Sequence, residues 1–238
     1  MVEPLPRSAR SFPRQLLAAD AQIAARNLIG ARLTRGSGPA ARVARIVELE
    51  AYGGQEDLAS HARFGPTKRN AVMFGPPGVA YVYLVYGMYN CLNVVTEAEG
   101  CAAAVLIRAV EPVQGHDGML AARLQSADRT ANGRDRAALE VARRRINSLP
   151  VARLASGPGL VCAAFSVTRS DDGIDLCDPN SDLRIELAAE DEPLRVEAGP
   201  RVGVDYAPEP WRSRPWRFFV PGNESVSTAW SGPPRVRS

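Results

Sequence analysis

Lysine is almost absent from this chain: of its 29 basic residues only Lys68 is not an arginine, so Lys68 and the N-terminus are the only amines on offer for covalent chemistry. Histidine is nearly as scarce, with two residues. The four cysteines, Cys91, Cys101, Cys162 and Cys177, form no CxxC pair, which argues against a zinc ribbon or iron–sulfur site and leaves reduced, structural thiols as the reading. No apolar run approaches the roughly 20 residues of a membrane span, and Met1 to Pro13 places Arg7 and Arg10 among prolines without the apolar core of a secretory signal. A cytoplasmic protein that does not enter a membrane is therefore expected. GxSxG and HExxH patterns are also missing, so neither a serine nucleophile elbow nor a two-histidine metal helix is available.

What is present is ordinary globular material: 238 residues, 45% hydrophobic and 23% charged, with a net charge of +3. No linker divides the chain. A flexible lead over residues 1–13 and one compact domain over 14–232 are expected. Arginine suits phosphate recognition, although its abundance equally matches a compositional bias. Ten acids between Asp171 and Glu197, against Arg184 and Arg195, predict a stretch that faces away from any polyanion.

Apolar residues at helical spacing predict a first helix over Gln15 to Leu28, stopped by Gly30. Strands are predicted over Ala31 to Thr34 and Arg42 to Tyr52, the second with Val47, Leu49 and Ala51 on one face and Glu48, Glu50 and Tyr52 on the other. A long polar loop, Gly53 to Pro77, reads as functional. Val79 to Tyr86 and Tyr89 to Thr96 read as a hairpin whose two-residue Gly87-Met88 loop has the signature of a type II′ turn, with Tyr86 and Tyr89 flanking the tip. A further strand over Cys101 to Val110 is closed by Glu111 and Pro112. One or two exposed helices over Met119 to Ile146, a short helix over Leu160 to Phe165 and late strands including Arg217 to Val220 complete an α+β pattern without regular βαβ alternation.

Glu50, Tyr52 and His61 bring a carboxylate, a phenol and an imidazole to one strand face and the loop after it. On pattern alone the bland alternative is a solvated face with Glu48 and Glu50 exposed, and a surface role for His61. A metal site would have to recruit Glu48, Glu50, Glu56, Asp57 and His61, at spacings that match no common motif. Four of the six tyrosines, Tyr81, Tyr83, Tyr86 and Tyr89, fall within nine residues. Core filling accounts for Tyr81, whereas Tyr86 and Tyr89 at a hairpin tip suit a wedge that unstacks nucleic acid. Lys68 and Arg69 stand where phosphates could be met.

The strings Arg45-Ile46-Val47-Glu48-Leu49-Glu50-Ala51-Tyr52, Ser60-His61, Thr67-Lys68-Arg69-Asn70-Ala71-Val72-Met73-Phe74 and Tyr81 to Tyr89 resemble the alkyladenine (3-methyladenine) DNA glycosylase family. The likeness continues through Cys91-Leu92-Asn93, Leu106 to Pro112, Ser156-Gly157-Pro158 and Arg201-Val202-Gly203-Val204, in order along the chain. It implies a curved antiparallel sheet with surrounding helices and a protruding β-hairpin, and an enzyme that flips damaged purines out of duplex DNA and hydrolyses the N-glycosidic bond without a cofactor. By that resemblance Glu50 is the general base, and Arg108 and the Val202 carbonyl hold the attacking water. Tyr52 stacks on one side of the base and His61 and Tyr83 on the other; Asn93 screens against normal guanine, and Ala59 and Leu106 complete the pocket. Tyr86 fills the gap left in the duplex, with Gly87, Met88, Tyr89, Lys68 and Arg69 beside it on the DNA. Lys68 stands where a proline is common in the family, and the Arg-rich stretch from Arg129 to Arg145 is not closely matched.

Strand cleavage through a Schiff base needs an activated amine, so the lysine count predicts a monofunctional enzyme that leaves an abasic site. A monomer acting on double-stranded DNA with damaged purines is expected. Two other classes stay in view: a lesion- or abasic-DNA-binding module without catalysis, and a metal-dependent hydrolase using Glu50, Asp57 and His61.

Overall fold

The computed structural model describes residues 10–85, 87–131, 136–188 and 194–228. Eight strands, β1 (Arg32–Arg35), β2 (Arg42–Tyr52), β3 (Ala80–Val85), β4 (Tyr89–Thr96), β5 (Ala103–Gln114), β6 (Leu183–Glu186), β7 (Glu197–Gly199) and β8 (Arg217–Phe219), form one curled antiparallel sheet. Its main path runs β3-β4-β5-β2-β1-β6. β2 is long enough to share one edge, pairing β1 through Arg42 to Arg45 and β8 through Glu48 to Glu50, while β5 follows its other edge. Among the described residues four helices, α1 (Ala21–Leu28), α2 (His116–Ala131), α3 (Arg136–Asn147) and α4 (Pro158–Ala164), complete the α+β domain.

Alternation along the strands divides the sheet into a packing face and a second face. Ala80 and Val82, Leu92 and Val94, Val105 and Ile107, and Leu49 and Ala51 join α1 and α4 in the main core. Burying each of the larger aliphatic side chains contributes about 1.5–3 kcal/mol. The intervening residues, Tyr81, Tyr83, Cys91, Asn93, Ala104, Leu106 and Arg108, line a cavity on the other face. A register shift between Ile46 and Glu48 of β2 changes the phase, so Ala44 and Ile46 reach the core before it, and Leu49 and Ala51 after it. Beyond that shift, alternation turns Glu48, Glu50 and Tyr52 to the side opposite Leu49 and Ala51, and Tyr52 lines the cavity.

Four details differ from the sequence-based expectations. Helix α1 starts at Ala21, not Gln15, because Asp20 caps it by accepting from the Gln22 N–H at 2.8 Å; Arg14–Leu16 form a separate 3-10 turn. β5 runs on to Gln114: Pro112 pairs opposite Ala44 in unbroken register, and a register shift between Val43 and Ala44 then passes over Val113 so that Gln114 pairs with Val43. The end of the lead is docked: Ser11 bridges Glu186, and Phe12 is buried with its N–H donating to the Ile185 carbonyl.

The hairpin is closed one residue earlier than the type II′ reading requires. Val85 pairs with Tyr89, and the Met88 N–H donates to the Val85 carbonyl at 3.1 Å, with Gly87 at φ +68°. Residues directly opposite in an antiparallel pair share a face, and this register matches Val82 with Leu92 in the core and Tyr83 with Cys91 on the cavity side. Pairing Tyr86 with Tyr89 would oppose core residues to cavity residues along the whole hairpin. Tyr86 itself lies outside the described residues.

Candidate active site

Eleven residues of β2 deliver the central carboxylate. Glu50 is fully buried immediately behind a cavity of about 580 Å3, and three residues of the cavity wall reach it. The Val202 N–H donates to Glu50 Oε1 at 2.7 Å, Arg108 NH1 stands 3.2 Å from the same oxygen, and the Tyr52 hydroxyl donates to Oε2 at 2.8 Å. These donors fill three of the roughly four acceptor positions of a carboxylate. Gly203, next to Val202, takes φ +78°, a conformation that suits glycine in the turn presenting this N–H. It is thus the Val202 N–H, through Glu50, that the structure ties into the site.

The pattern-based alternative of a solvated face is overturned. Glu48 is as fully buried as Glu50, because β8 and the segment after it cover this half of β2. Glu48 Oε1 accepts from Arg108 Nε at 2.9 Å and Arg217 Nε at 2.7 Å, and Oε2 accepts from the Ser227 N–H at 2.7 Å. Burial by itself would push the Glu48 carboxyl up, but Arg108, Ser227 and Arg217 together outweigh it and hold it below the usual carboxylate value. Arg108 faces the same competition with the opposite charge: burial works against its cation, and Glu50 and Glu48 overcome that and raise its pKa.

Aromatic groups form the rest of the cavity. Tyr52, His61 and Tyr83 all line it, with His61 set edge-on to Tyr83 at 4.4 Å between ring centroids. His61 Nδ1 is 3.2 Å from the Tyr81 hydroxyl, and the His61 carbonyl accepts from Asn70 Nδ2 at 3.1 Å. Burial pushes the phenols of Tyr52 and Tyr83 well above their ordinary value, with Glu50 adding to the first and Cys91 to the second. Ala59, Asn93 and Leu106 are buried in the wall, where Asn93 Nδ2 donates to the Tyr81 carbonyl at 3.0 Å. The eight residues Arg108, Val202, Tyr52, Ala59, His61, Tyr83, Asn93 and Leu106 line one cavity, whereas Glu50 is buried behind its wall and does not line it.

His61 is held as a neutral ring. Burial first, then the charges of Arg69 and Arg63, lower its pKa to about 4. Stability linked to this neutral imidazole is present above the ordinary value of 6.5 and is lost as the pH falls from there toward about 4. An NMR titration is expected to show no protonation of His61 between about pH 5 and 8. A midpoint near 6.5 would contradict the buried setting.

Beneath Tyr52 lies a second buried pair. Arg201 NH1 donates to Asp57 Oδ2 at 2.5 Å and NH2 to Oδ1 at 3.0 Å, while NH1 also reaches the Ala51 carbonyl and NH2 the Trp211 carbonyl. The guanidinium lies 4.7 Å from the Tyr52 ring centroid and 5.0 Å from that of Trp216. Asp57, a possible metal ligand on sequence, is committed to this bridge. Among the described residues no three His, Cys, Asp or Glu side chains gather as metal ligands.

Of the residues expected on DNA, Arg69 and Gly87 line the cavity, whereas Met88 and Tyr89 line a separate hollow beside Gly159 and Ala163, and Tyr86 lies outside the described residues. Gly87, Met88 and Tyr89 form the hairpin end, with Met88 and Tyr89 about half exposed. Lys68 is exposed; Arg69 is exposed too, but donates to the Leu84 carbonyl at 3.0 Å and lies over Tyr83. Sequence reading missed Phe64, exposed with Arg63 stacked on it at 4.4 Å, and Tyr206, which lines the cavity and donates to the Ala59 carbonyl. The acidic stretch spends much of its charge within the fold: Asp171 and Asp182 pair with Arg35, Asp175 with Arg14 and Glu186 with Arg184. Glu190, Asp191 and Glu192 lie outside the described residues.

A buried carboxylate beside a cation, behind a cavity with aromatic walls, suits proton transfer next to a flat ring. The Methylpurine-DNA glycosylase profile matches residues 15–224, ending short of Ser227. Relatives with the provisional name 3-methyladenine DNA glycosylase include one from Anaeromyxobacter sp. (strain Fw109-5), 45% identical over 91% of this chain and 92% of its own. One from Methanocella arvoryzae is 47% identical over 85% and 88%, and one from Bacillus cereus (strain G9842) 39% identical over 85% and 92%. The chain belongs to the methylpurine-DNA glycosylase family. It is accordingly a DNA glycosylase, a hydrolase of DNA repair, and no helix among its described residues is long and apolar enough to cross a membrane.

Proposed function

We propose that the enzyme extrudes alkylated or deaminated purines, of the 3-methyladenine, 7-methylguanine, hypoxanthine and ethenoadenine class, from duplex DNA and hydrolyses their N-glycosidic bond as a monomer in the cytoplasm. The observation that carries this reading is the buried Glu50 carboxylate, held by Tyr52, Val202 and Arg108 of the cavity wall; its remaining acceptor capacity would take the water proton. Tyr52 and, facing it, His61 and Tyr83 sandwich the base; Ala59, Asn93 and Leu106 shape the slot. Alkylation at N3 or N7 makes the purine cationic, which favours electron-rich tyrosine faces and a neutral rather than protonated His61.

As the glycosidic bond lengthens, positive charge develops on the sugar. Glu50 stabilises that charge and takes the proton of the attacking water, while Arg108 and the Val202 backbone position both. Tyr86 fills the duplex, and Gly87, Met88, Tyr89, Lys68 and Arg69 hold the strand around it. A duplex carrying hypoxanthine or ethenoadenine, assayed by alkaline cleavage, tests the reading: released base supports it. Lesion binding without release by the unaltered enzyme would favour the non-catalytic module instead.

Lys68 is exposed on a polar loop and the N-terminus, the other amine, lies outside the described residues; we infer that neither attacks the sugar. Borohydride is expected to trap no covalent enzyme–DNA adduct during excision, and the abasic strand is expected to stay intact until alkali is added. A trapped adduct would overturn the monofunctional assignment.

A further inference from the structure

We propose that Glu48 is a positioning residue for the hydrolysis, gripped by the C-terminal segment through Ser227 and acting on Glu50 through Arg108. The proposal rests on the catalytic reading of Glu50. Its physical basis is that Arg108 has each guanidinium nitrogen assigned to a different partner. Nε meets Glu48 at 2.9 Å, NH1 stands 3.2 Å from Glu50, and NH2 donates to Ser227 Oγ at 3.2 Å. A planar guanidinium held at two of its three nitrogens cannot rotate the third away without breaking both contacts. Glu48 and Ser227 thus set where the cation meets the catalytic carboxylate.

Ser227 is held in its turn. The segment after β8 is fastened by Arg153, whose NH1 donates to the carbonyls of Glu224 at 2.9 Å and Val226 at 3.2 Å, and by Ser156 Oγ, which donates to the Val226 carbonyl at 3.4 Å. Ser225 and Ser227 are buried beneath it. Arg217 NH2 closes the ring on the Ser227 carbonyl at 3.4 Å. The groups facing Glu50 and Glu48 are then Arg108 from β5, Arg217 from β8, Tyr52 from β2, Tyr83 from β3, Cys91 from β4, and Val202 and Ser227 from the two adjoining segments. Two carboxylates balance two guanidiniums.

Glutamine at position 48 keeps the shape and removes one negative charge. It also turns an amide NH2 toward either the Ser227 N–H or the two arginines, all of them donors, so the cluster cannot stay satisfied. With Glu48→Gln in the full chain on a hypoxanthine duplex, the single-turnover rate is expected to fall about 100-fold, the size of effect that small misplacements of catalytic groups produce. Duplex affinity should stay unchanged. The pH–rate profile should differ from that of the unaltered enzyme, because the substitution leaves the cluster with one more positive than negative charge.

Ser227→Ala provides the milder variant, since it deletes the hydroxyl that meets both Arg108 NH2 and Glu48 but keeps the backbone donor to Glu48. About a fivefold loss of rate is expected, with a fall of only a few degrees in melting temperature. If both variants lose thermal stability yet keep the rate and pH profile of the unaltered enzyme in their folded fraction, Glu48 is structural and the proposal fails. Equal losses of affinity and rate would also overturn it. Absence of excision by the unaltered enzyme would remove the catalytic reading and this proposal together, a result distinct from a failure confined to the variants.

Discussion

Glu50→Gln is expected to reduce single-turnover excision by between about a hundredfold and ten-thousandfold, the range that a positioned general base contributes, while lesion-duplex binding stays close to that of the unaltered enzyme. The substitution retains the volume of a fully buried side chain and an oxygen to accept from the Val202 N–H. The Tyr52 hydroxyl, which donates to Glu50 Oε2, can turn and accept from the new amide instead. What disappears is the ability to take the water proton and the negative charge opposite the developing sugar cation. Quenched-flow excision on an ethenoadenine duplex, with affinity measured in parallel, reads the two effects separately. Excision at the unaltered rate would remove Glu50 from the mechanism.

Arg201→Ala should cost about 3–5 kcal/mol of stability, because it strands the Asp57 carboxylate in the interior without its bidentate partner. For a chain of this size each kcal/mol moves the melting temperature by roughly 2–4 °C, so a fall on the order of 10 °C is expected in calorimetry. Excision should suffer as well, since the guanidinium supports the Tyr52 ring and ties Asp57 to the Ala51 carbonyl. Replacing both members, Arg201→Met with Asp57→Leu, should recover part of the lost stability. A shift of less than about 2 °C for Arg201→Ala alone would mean that water reaches and solvates Asp57.

The functional face was legible because strand alternation needs only local information. Glu50 with Tyr52, and Tyr81 with Tyr83, are two residues apart on strands, so each pair shares a face once the strands are recognised. Glu48 shows the limit of that reasoning. The same alternation that groups it with Glu50 is found on any solvated strand face, and its burial depends on β8 and the Ser227 segment, about 170 residues further along the chain. No local pattern encodes such a cover. The Asp57–Arg201 bridge is similarly remote, joining residues 144 positions apart.

The start of α1 was hidden for a different reason: helical spacing continued through Arg14–Leu16, and only the side-chain geometry of Asp20 separates the two turns. The hairpin register was likewise undecidable from Gly87 and Met88 by themselves. Turn preferences differ by little, whereas matching core residues to core residues across β3 and β4 applies along their whole length.

By itself the amino-acid sequence determined the residue chemistry of the site, the face each strand presents, and the scarcity of lysine that bears on the reaction's outcome. Only the tertiary structure decided which carboxylates lose their water, which guanidinium each one meets, and how the chain's last described residues close over them. Burial and ion pairing are sums over segments distant in sequence, and their energies take effect only when the sheet has brought those segments together.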